Sequence, residues 1–281
     1  MRSEALPVDT FDFERSYMRL TPNGADLIVG DPDRVFPLAS VTKPIAAYAV
    51  LVAVERGMLS LETPAGPPGA TVRHLLAHAS GLPFGKGDPI AKPGVRRIYS
   101  NYGYDVLADV VAEHLRMPVQ EWVIRAVARP LGMDTFTLRQ GVWPVAGSTA
   151  YPAGSIAADG VASADSLARF AMELLRPTLI SRDLFTQAMS SQFDGISGIL
   201  PGYGKQINNQ WGLGFSIRGH KNPHWLSSDF SPRTIGHFGQ SGSFIWMDPT
   251  VCKAGIFLGE RPFGDQHRRV WPALTAQMRA L

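Results

Sequence analysis

The chain holds one cysteine in 281 residues, Cys252. A lone thiol excludes an internal disulfide and a zinc site built from cysteines alone. It lies in the apolar run from Val251 to Leu258, which reads as a strand and predicts a buried, inert thiol. Long apolar segments are missing too. The longest, Ile45 to Val54, is bounded by Pro44 and Glu55, too short to span a bilayer and suited to a buried helix. The start, Met1-Arg2-Ser3-Glu4-Ala5-Leu6-Pro7, shows no apolar stretch of a secretory signal, so a cytoplasmic protein with no membrane partner is expected. Neither sign of charge dominates: 27 Lys and Arg against 24 Asp and Glu leave a net +3. The tight basic pairs, Arg96-Arg97 and Arg268-Arg269, read as solvated surface pairs, and no nucleic-acid partner is expected.

Several catalytic signatures are absent as well. The chain has no G-x-S-x-G, no H-E-x-x-H, no phosphate loop and no G-x-G-x-x-G. His74 and His78 are spaced to share a helix face but have no carboxylate between them, so packing or a backbone contact is the reading for both. His220 and His224, either side of Pro223, fall in a loop and are not read as metal ligands. No metal and no organic cofactor is implied.

What is present is an ordinary globular composition, 45% apolar and 18% charged. Short apolar runs around Pro22-Asn23-Gly24 predict a strand–turn–strand unit over residues 15–30. A helix is predicted from about 40 to 56, stopped by Gly57. Residues 64–70 read as a linker. Helices follow over 71–79, 102–115 and 119–128, and another opens at Ser163-Ala164-Asp165-Ser166 and runs to Leu175. From 211 the pattern turns to short strands (212–217, 234–238, 243–247, 254–258), and 265–281 reads as a final helix. This order implies an α/β (α+β) fold. Residues 1–62 and 190–281 would form a sheet region, and 63–189 a mostly helical insert.

Three short patterns carry chemistry. Ser40 and Lys43 stand three apart at a helix start, on one face. A serine hydroxyl needs a base to become a nucleophile, and a lysine whose pKa is lowered by burial can be that base. The plain alternative is a helix-capping Ser40 beside a solvated Lys43. Chance alone gives about 0.4 Ser-x-x-Lys matches in this composition, so the pair means little in isolation. Tyr99-Ser100-Asn101 is the only Tyr-x-Asn in the chain, and His237-Phe238-Gly239 the only His-x-Gly. Taken singly, Tyr99 reads as a packed aromatic, Asn101 as a turn residue and His237 as a strand histidine.

Together, and in this order, the three resemble the motifs of the serine β-lactamase and penicillin-binding-protein superfamily. The match is to the class C β-lactamase-like branch of esterases, D-amino-acid peptidases and β-lactamases. The flanking segments Phe36-Pro37-Leu38-Ala39, His74 to Leu82, Pro130-Leu131-Gly132-Met133 and Gly236 to Ser243 fit as well. The resemblance implies a β-lactamase-like antiparallel sheet flanked by helices, with the active site between sheet and insert. It makes Ser40 the acylated nucleophile, with Lys43 and Tyr99 sharing proton transfer. Asn101 would hold a substrate carbonyl and the Lys43 ammonium. The backbone N–H groups of Ser40 and Gln240 would form an oxyanion hole, and Gly239 would let its strand approach the substrate. In β-lactam-processing members the third motif opens on Lys, followed by Ser or Thr, and these residues grip a carboxylate. Here His237 and Phe238 occupy those places, at a cost of about 2–4 kcal/mol for an anionic substrate. The implied function is a serine hydrolase working through an acyl-enzyme on a small ester or amide. The alternatives are β-lactamase or D-amino-acid peptidase activity, acyl transfer, and a non-catalytic binding protein. An ordinary histidine would gain charge toward pH 6, so anionic substrates are expected to improve there. Two further departures, a short or missing N-terminal helix and a compressed 62–70 segment, bear on the cover of the sheet.

Overall fold

A computed structural model describes residues 2–139 and 154–280. The chain opens with strands β1 (Arg15–Thr21), β2 (Gly24–Val29) and β3 (Val35–Pro37), then a tight turn at Ala39–Val41 and helix α1 (Thr42–Glu55). The next stretch carries α2 (Val72–Leu76), α3 (Asn101–Leu115), α4 (Val119–Val123), α5 (Arg129–Leu131), β4 (Thr137–Leu138), β5 (Gly160–Ser163), α6 (Ala164–Leu175) and α7 (Arg182–Met189). The last part supplies β6 (Gly198–Leu200), β7 (Gly204–Gln206), β8 (Ser216–Ile217), β9 (Ile235–Gly239), β10 (Ser243–Asp248), β11 (Lys253–Gly259) and α8 (Asp265–Ala280).

Six strands form one antiparallel sheet in the order β2-β1-β11-β10-β9-β8, so both ends of the chain meet at β1 and β11. Helix α6 packs on β1, β10 and β11 from one side, and α8 packs on β11 with an aromatic cluster on the other. Side chains alternate across a strand, so register decides which face each residue meets. Tyr17, Phe257, Phe244 and Phe238 pair in sequence across four strands and form an aromatic row on the α8 side. The neighbouring row, Met18, Ile256, Ile245 and His237, faces α1 and α6. His237 and Phe238 therefore look to opposite sides of the sheet.

Helix α1 buries twelve of its fourteen residues, as a helix apolar nearly all round must. Gly57 follows its C-cap with φ +66°, a left-handed conformation that glycine adopts without strain. Ser163 caps α6 as expected, its hydroxyl accepting from Ser166 N–H. The predicted 119–128 helix continues from α4 through a wider π turn at Ile124–Ala128 into α5. Residue 281, the end of the predicted final helix, lies outside the described residues.

Some expectations change. Cys252 is exposed, with φ +51°, because the first two residues of its apolar run make the β10–β11 turn and the strand starts at Lys253. Residues 64–70 are a closed loop pinned by a Pro64–Thr71 bridge. Of the predicted 212–217 strand, Ser216–Ile217 alone is regular. Among the described residues no helix is long and apolar enough to cross a membrane, and no group of three His, Cys, Asp or Glu side chains is placed to hold a metal.

Candidate active site

Ser40 sits in the turn that feeds α1. Just before it Ala39 takes φ +44°, a strained conformation for a residue with a side chain. Neighbours hold it there: Thr42 Oγ1 donates to Ala39 O at 2.6 Å and accepts from Gly160 N–H at 2.9 Å. Leu38 N–H donates to Gly160 O at 2.8 Å, and Ser243 Oγ donates to Leu38 O at 2.9 Å. Ser40 caps no helix; the N-cap positions belong to Leu38 and Val41, neither with a side-chain bond. Its hydroxyl is turned to an open cleft of about 760 Å³, mouth included, which Tyr99, Asn101, His237, Phe238 and Gln240 also line.

Lys43 is not a solvated first-turn lysine. It is fully buried one turn below Ser40. Its ammonium nitrogen donates to Asn101 Oδ1 at 2.6 Å and Ala157 O at 2.7 Å, and lies 3.4 Å from Ser40 Oγ. Burial brings its pKa down to about 7, a fall that the Asp105 carboxylate partly opposes. Asp105 is itself raised to about 6, chiefly by burial, while the Ser155 hydroxyl bonded to it pulls the other way. Lys43 Nζ also stands 4.8 Å from the centre of the Tyr99 ring.

Tyr99 and Asn101 arrive together because Ser100 starts α3. Its hydroxyl accepts from Gly103 N–H at 2.7 Å and donates to Pro83 O. Behind this turn His78, buried and at φ +54°, accepts the Ser100 N–H on Nδ1 at 3.1 Å, and its ring lies 4.5 Å from that of Tyr99. His74 serves α2 instead, closing a capping box with Thr71. Arg97, buried two residues before Tyr99, donates to the carbonyls of Ala77, Gln192, Phe193 and Asn209. Burial lowers its pKa to about 9.

The third motif forms the opposite wall. A Cβ on Gly239 would fall 2.4 Å from Leu38 O, 2.9 Å from Ser243 Oγ and 3.2 Å from Ser40 N, so only glycine lets β9 press against the Ser40 turn. His237 is buried; its Nδ1 pairs with Phe238 O at 2.8 Å and its Nε2 has no partner. Burial first, then the Lys43 ammonium, takes its pKa to about 3. This overturns the expected gain of charge near pH 6. Phe238 ends the aromatic row and packs on Phe263, Tyr203, Trp225 and Trp271.

Of the candidate site residues, Ser40, Tyr99, Asn101, His237, Phe238 and Gln240 line one cleft, with Gln240 exposed at its rim, while Lys43 lies buried beneath Ser40 and Gly239 lies against the Ser40 turn. Sequence reasoning missed Ala157, which acts through a backbone carbonyl and leaves no residue-type signal, and Asp105, whose place one turn along α3 from Asn101 was a usable one. It also missed Lys221, a buried lysine donating to Gln210 O and to Ser216 Oγ at 2.8 Å each, with Ser216 in the cleft wall. Trp211 and Trp225 close the same wall.

A family model described as Beta-lactamase matches residues 30–278. Esterase EstB of Burkholderia gladioli is 33% identical over 39% of this chain and 40% of its own length. Penicillin-binding protein 4* of Bacillus subtilis is 29% identical over 36% of this chain and 30% of its own. The matches therefore span less than half of these curated relatives. The crystal structure of a β-lactamase from Mycobacterium bovis is similar over 96% of both chains, with 44% identity and a TM-score of 0.90.

Proposed function

From the chain's membership of the β-lactamase family, a family of serine hydrolases, we propose that it cleaves a small ester or amide through an acyl-enzyme on Ser40. The observation that carries this reading is the hydrogen bonding of Lys43. As a neutral amine it keeps two N–H donors on Asn101 Oδ1 and Ala157 O, and its lone pair faces Ser40 Oγ. Lys43 takes the Ser40 proton as Oγ attacks the acyl carbon. The oxyanion settles between the N–H groups of Ser40 and Gln240. Lys43 and Tyr99 pass the proton to the leaving alcohol or amine, and water then cleaves the acyl-serine ester and restores the Ser40 hydroxyl. Asn101 holds both Lys43 and a substrate carbonyl.

An ester is favoured over a β-lactam because the third motif offers no cation. His237 is neutral at working pH, and Phe238 has no hydroxyl to give. A neutral short-chain ester is expected to show a kcat/KM roughly 30- to 1,000-fold above a cephalosporin. The likeness to the M. bovis β-lactamase supports β-lactam hydrolysis as the second reading. Intact mass after a fluorophosphonate probe tests the nucleophile: wild type should gain one adduct and Ser40→Ala none, with turnover lost. A labelled or active Ser40→Ala protein sinks the assignment, and efficient cephalosporin hydrolysis by the wild type selects the second reading.

A further inference from the structure

We infer that the cleft recognises an uncharged hydrogen-bond donor on its substrate, a hydroxyl or an amide N–H, through Nε2 of His237, and disfavours a carboxylate at that point. The inference rests on the serine-hydrolase reading and names the substrate class within it. A backbone carbonyl can only accept, so the 2.8 Å contact between His237 Nδ1 and Phe238 O fixes the ring proton on Nδ1. In a neutral ring Nε2 is then a bare acceptor. It has no partner, the register of β9 turns its ring to the α1 face where Ser40 and Lys43 lie, and it is closed off from solvent beside the Tyr99 and Trp211 rings, so a substrate donor reaches it by displacing those rings. Phe84, Tyr99, Trp211 and Trp225 supply much of the cleft wall, and the Tyr99 and Trp211 rings meet that of His237 tilted and edge-on, at 5.9 and 5.4 Å between centres. An unmatched buried acceptor costs free energy that a substrate donor recovers on binding, and a carboxylate would set lone pair against lone pair.

The charged groups nearby do not undo this. Lys43 and Lys221 both disfavour protonation of His237, so its acceptor character persists from neutral pH well into acid. Lys43 is committed to Asn101 and Ala157. Lys221 is committed to Gln210 O and Ser216 Oγ, and reaches the cleft only through the Ser216 hydroxyl.

Two measurements on the full chain test the inference. The first needs no turnover. Long-range ¹H–¹⁵N spectra of the imidazoles, assigned with His237→Gln, should show His237 with Nδ1 protonated and Nε2 bare at pH 6. A protonated Nε2 or an imidazolium overturns the inference. The second uses two series of six-carbon esters, one with the variable end on the acid and one with it on the alcohol, ending in hydroxyl, carboxamide, methoxy or carboxylate. In at least one series hydroxyl and carboxamide should exceed methoxy by about tenfold in kcat/KM, with carboxylate lowest. His237→Gln, which keeps an acceptor, should retain that order, and His237→Phe should bring hydroxyl and methoxy within about twofold. Equal rates for hydroxyl and methoxy in both series, with Ser40 still acylated, overturn the inference and leave the hydrolase standing. A preference for carboxylate overturns it in favour of Lys221 and Ser216 as an anion seat. Failure of Ser40 to acylate sinks the hydrolase reading instead, and the spectra still decide the tautomer.

Discussion

If Lys43 is the base that activates Ser40, kcat/KM must follow the fraction of its neutral form. Burial sets its pKa at about 7, against an ordinary lysine value of 10.5. The active fraction is then about one in eleven at pH 6 and about ten in eleven at pH 8, so the rate should rise roughly tenfold between them and level off. A lysine at its ordinary value would be about 0.3% neutral at pH 8, and its rate would still climb steeply at pH 9. His237, with a pKa of about 3, adds nothing to the profile over this range. Asp105 modifies it in a known sense. Its carboxylate stabilises the ammonium and raises the Lys43 pKa, so Asp105→Asn should move the midpoint to lower pH and speed the reaction at pH 6 to 7. Below about pH 6 the wild-type carboxyl is itself protonated, so the two proteins should converge there. The assay is kcat/KM for an ester with a non-ionising alcohol, from pH 5 to 9 at constant ionic strength. A profile flat from pH 6 to 8, a midpoint above pH 9, or a midpoint moved upward by Asp105→Asn would each refute the argument.

Tyr99→Phe keeps the ring packed between His78 and Trp211 and deletes the phenol, so kcat should fall about 10²- to 10⁴-fold with little change in Tm; a loss under threefold makes Tyr99 a packing residue. Gly239→Ala forces a methyl onto Leu38 O and the Ser40 turn, and should cost about 1–3 kcal/mol in urea unfolding and most of the activity. Wild-type rates would show that β9 need not press on Ser40. Arg97→Met strips the donors from four carbonyls and should destabilise by about 3–5 kcal/mol, measured by the same unfolding; a loss under about 1 kcal/mol would mean those carbonyls find other partners.

Local rules account for the parts of the fold that were legible. Helix α1 is read from an apolar run and a left-handed glycine, and α6 from a serine cap, because each signal acts within a few residues. Helix α7 carried signals of the same kind, a Ser181 cap and an apolar face of Leu184, Phe185, Ala188 and Met189, but its eight residues are too short a window for the period to stand out. Strands β4 and β5 pair across a long sequence separation, through only two register positions, and short ladders of that kind leave no periodicity. Cys252 misled because its run was taken as one strand, whereas Asp248 Oδ1 accepts from both Thr250 N–H and Thr250 Oγ1 and bends the chain just before it. An Asp-Pro-Thr turn is a readable signal of its own.

The site divides the same way. Three motifs name the candidate side chains, because the proposed chemistry asks for those residue types at those spacings. Their ionisation states come from elsewhere. Lys43 owes its low pKa to complete burial, and it is oriented by an amide 58 residues on and a carbonyl 114 residues on. His237 is neutral because β9 register places it on the α1 face of the sheet, while the adjacent position ends an aromatic row on the other face. From the sequence, Phe238 looks like a lost hydroxyl, a defect in an anion clamp. In the fold it is the fourth member of the row begun by Tyr17, Phe257 and Phe244, and its packing on Trp225, Phe263 and Trp271 has its own structural reason. Restoring the clamp would therefore take more than two codons. Phe238→Thr would remove a half-buried ring that packs on the aromatic cluster and cost about 2 kcal/mol, while His237→Lys would bury a second ammonium beside Lys43. The double change His237→Lys and Phe238→Thr should accordingly fall well below the wild type in thermal unfolding before any β-lactam rate can be read. A double mutant as stable as the wild type would show that this wall of the cleft tolerates either chemistry.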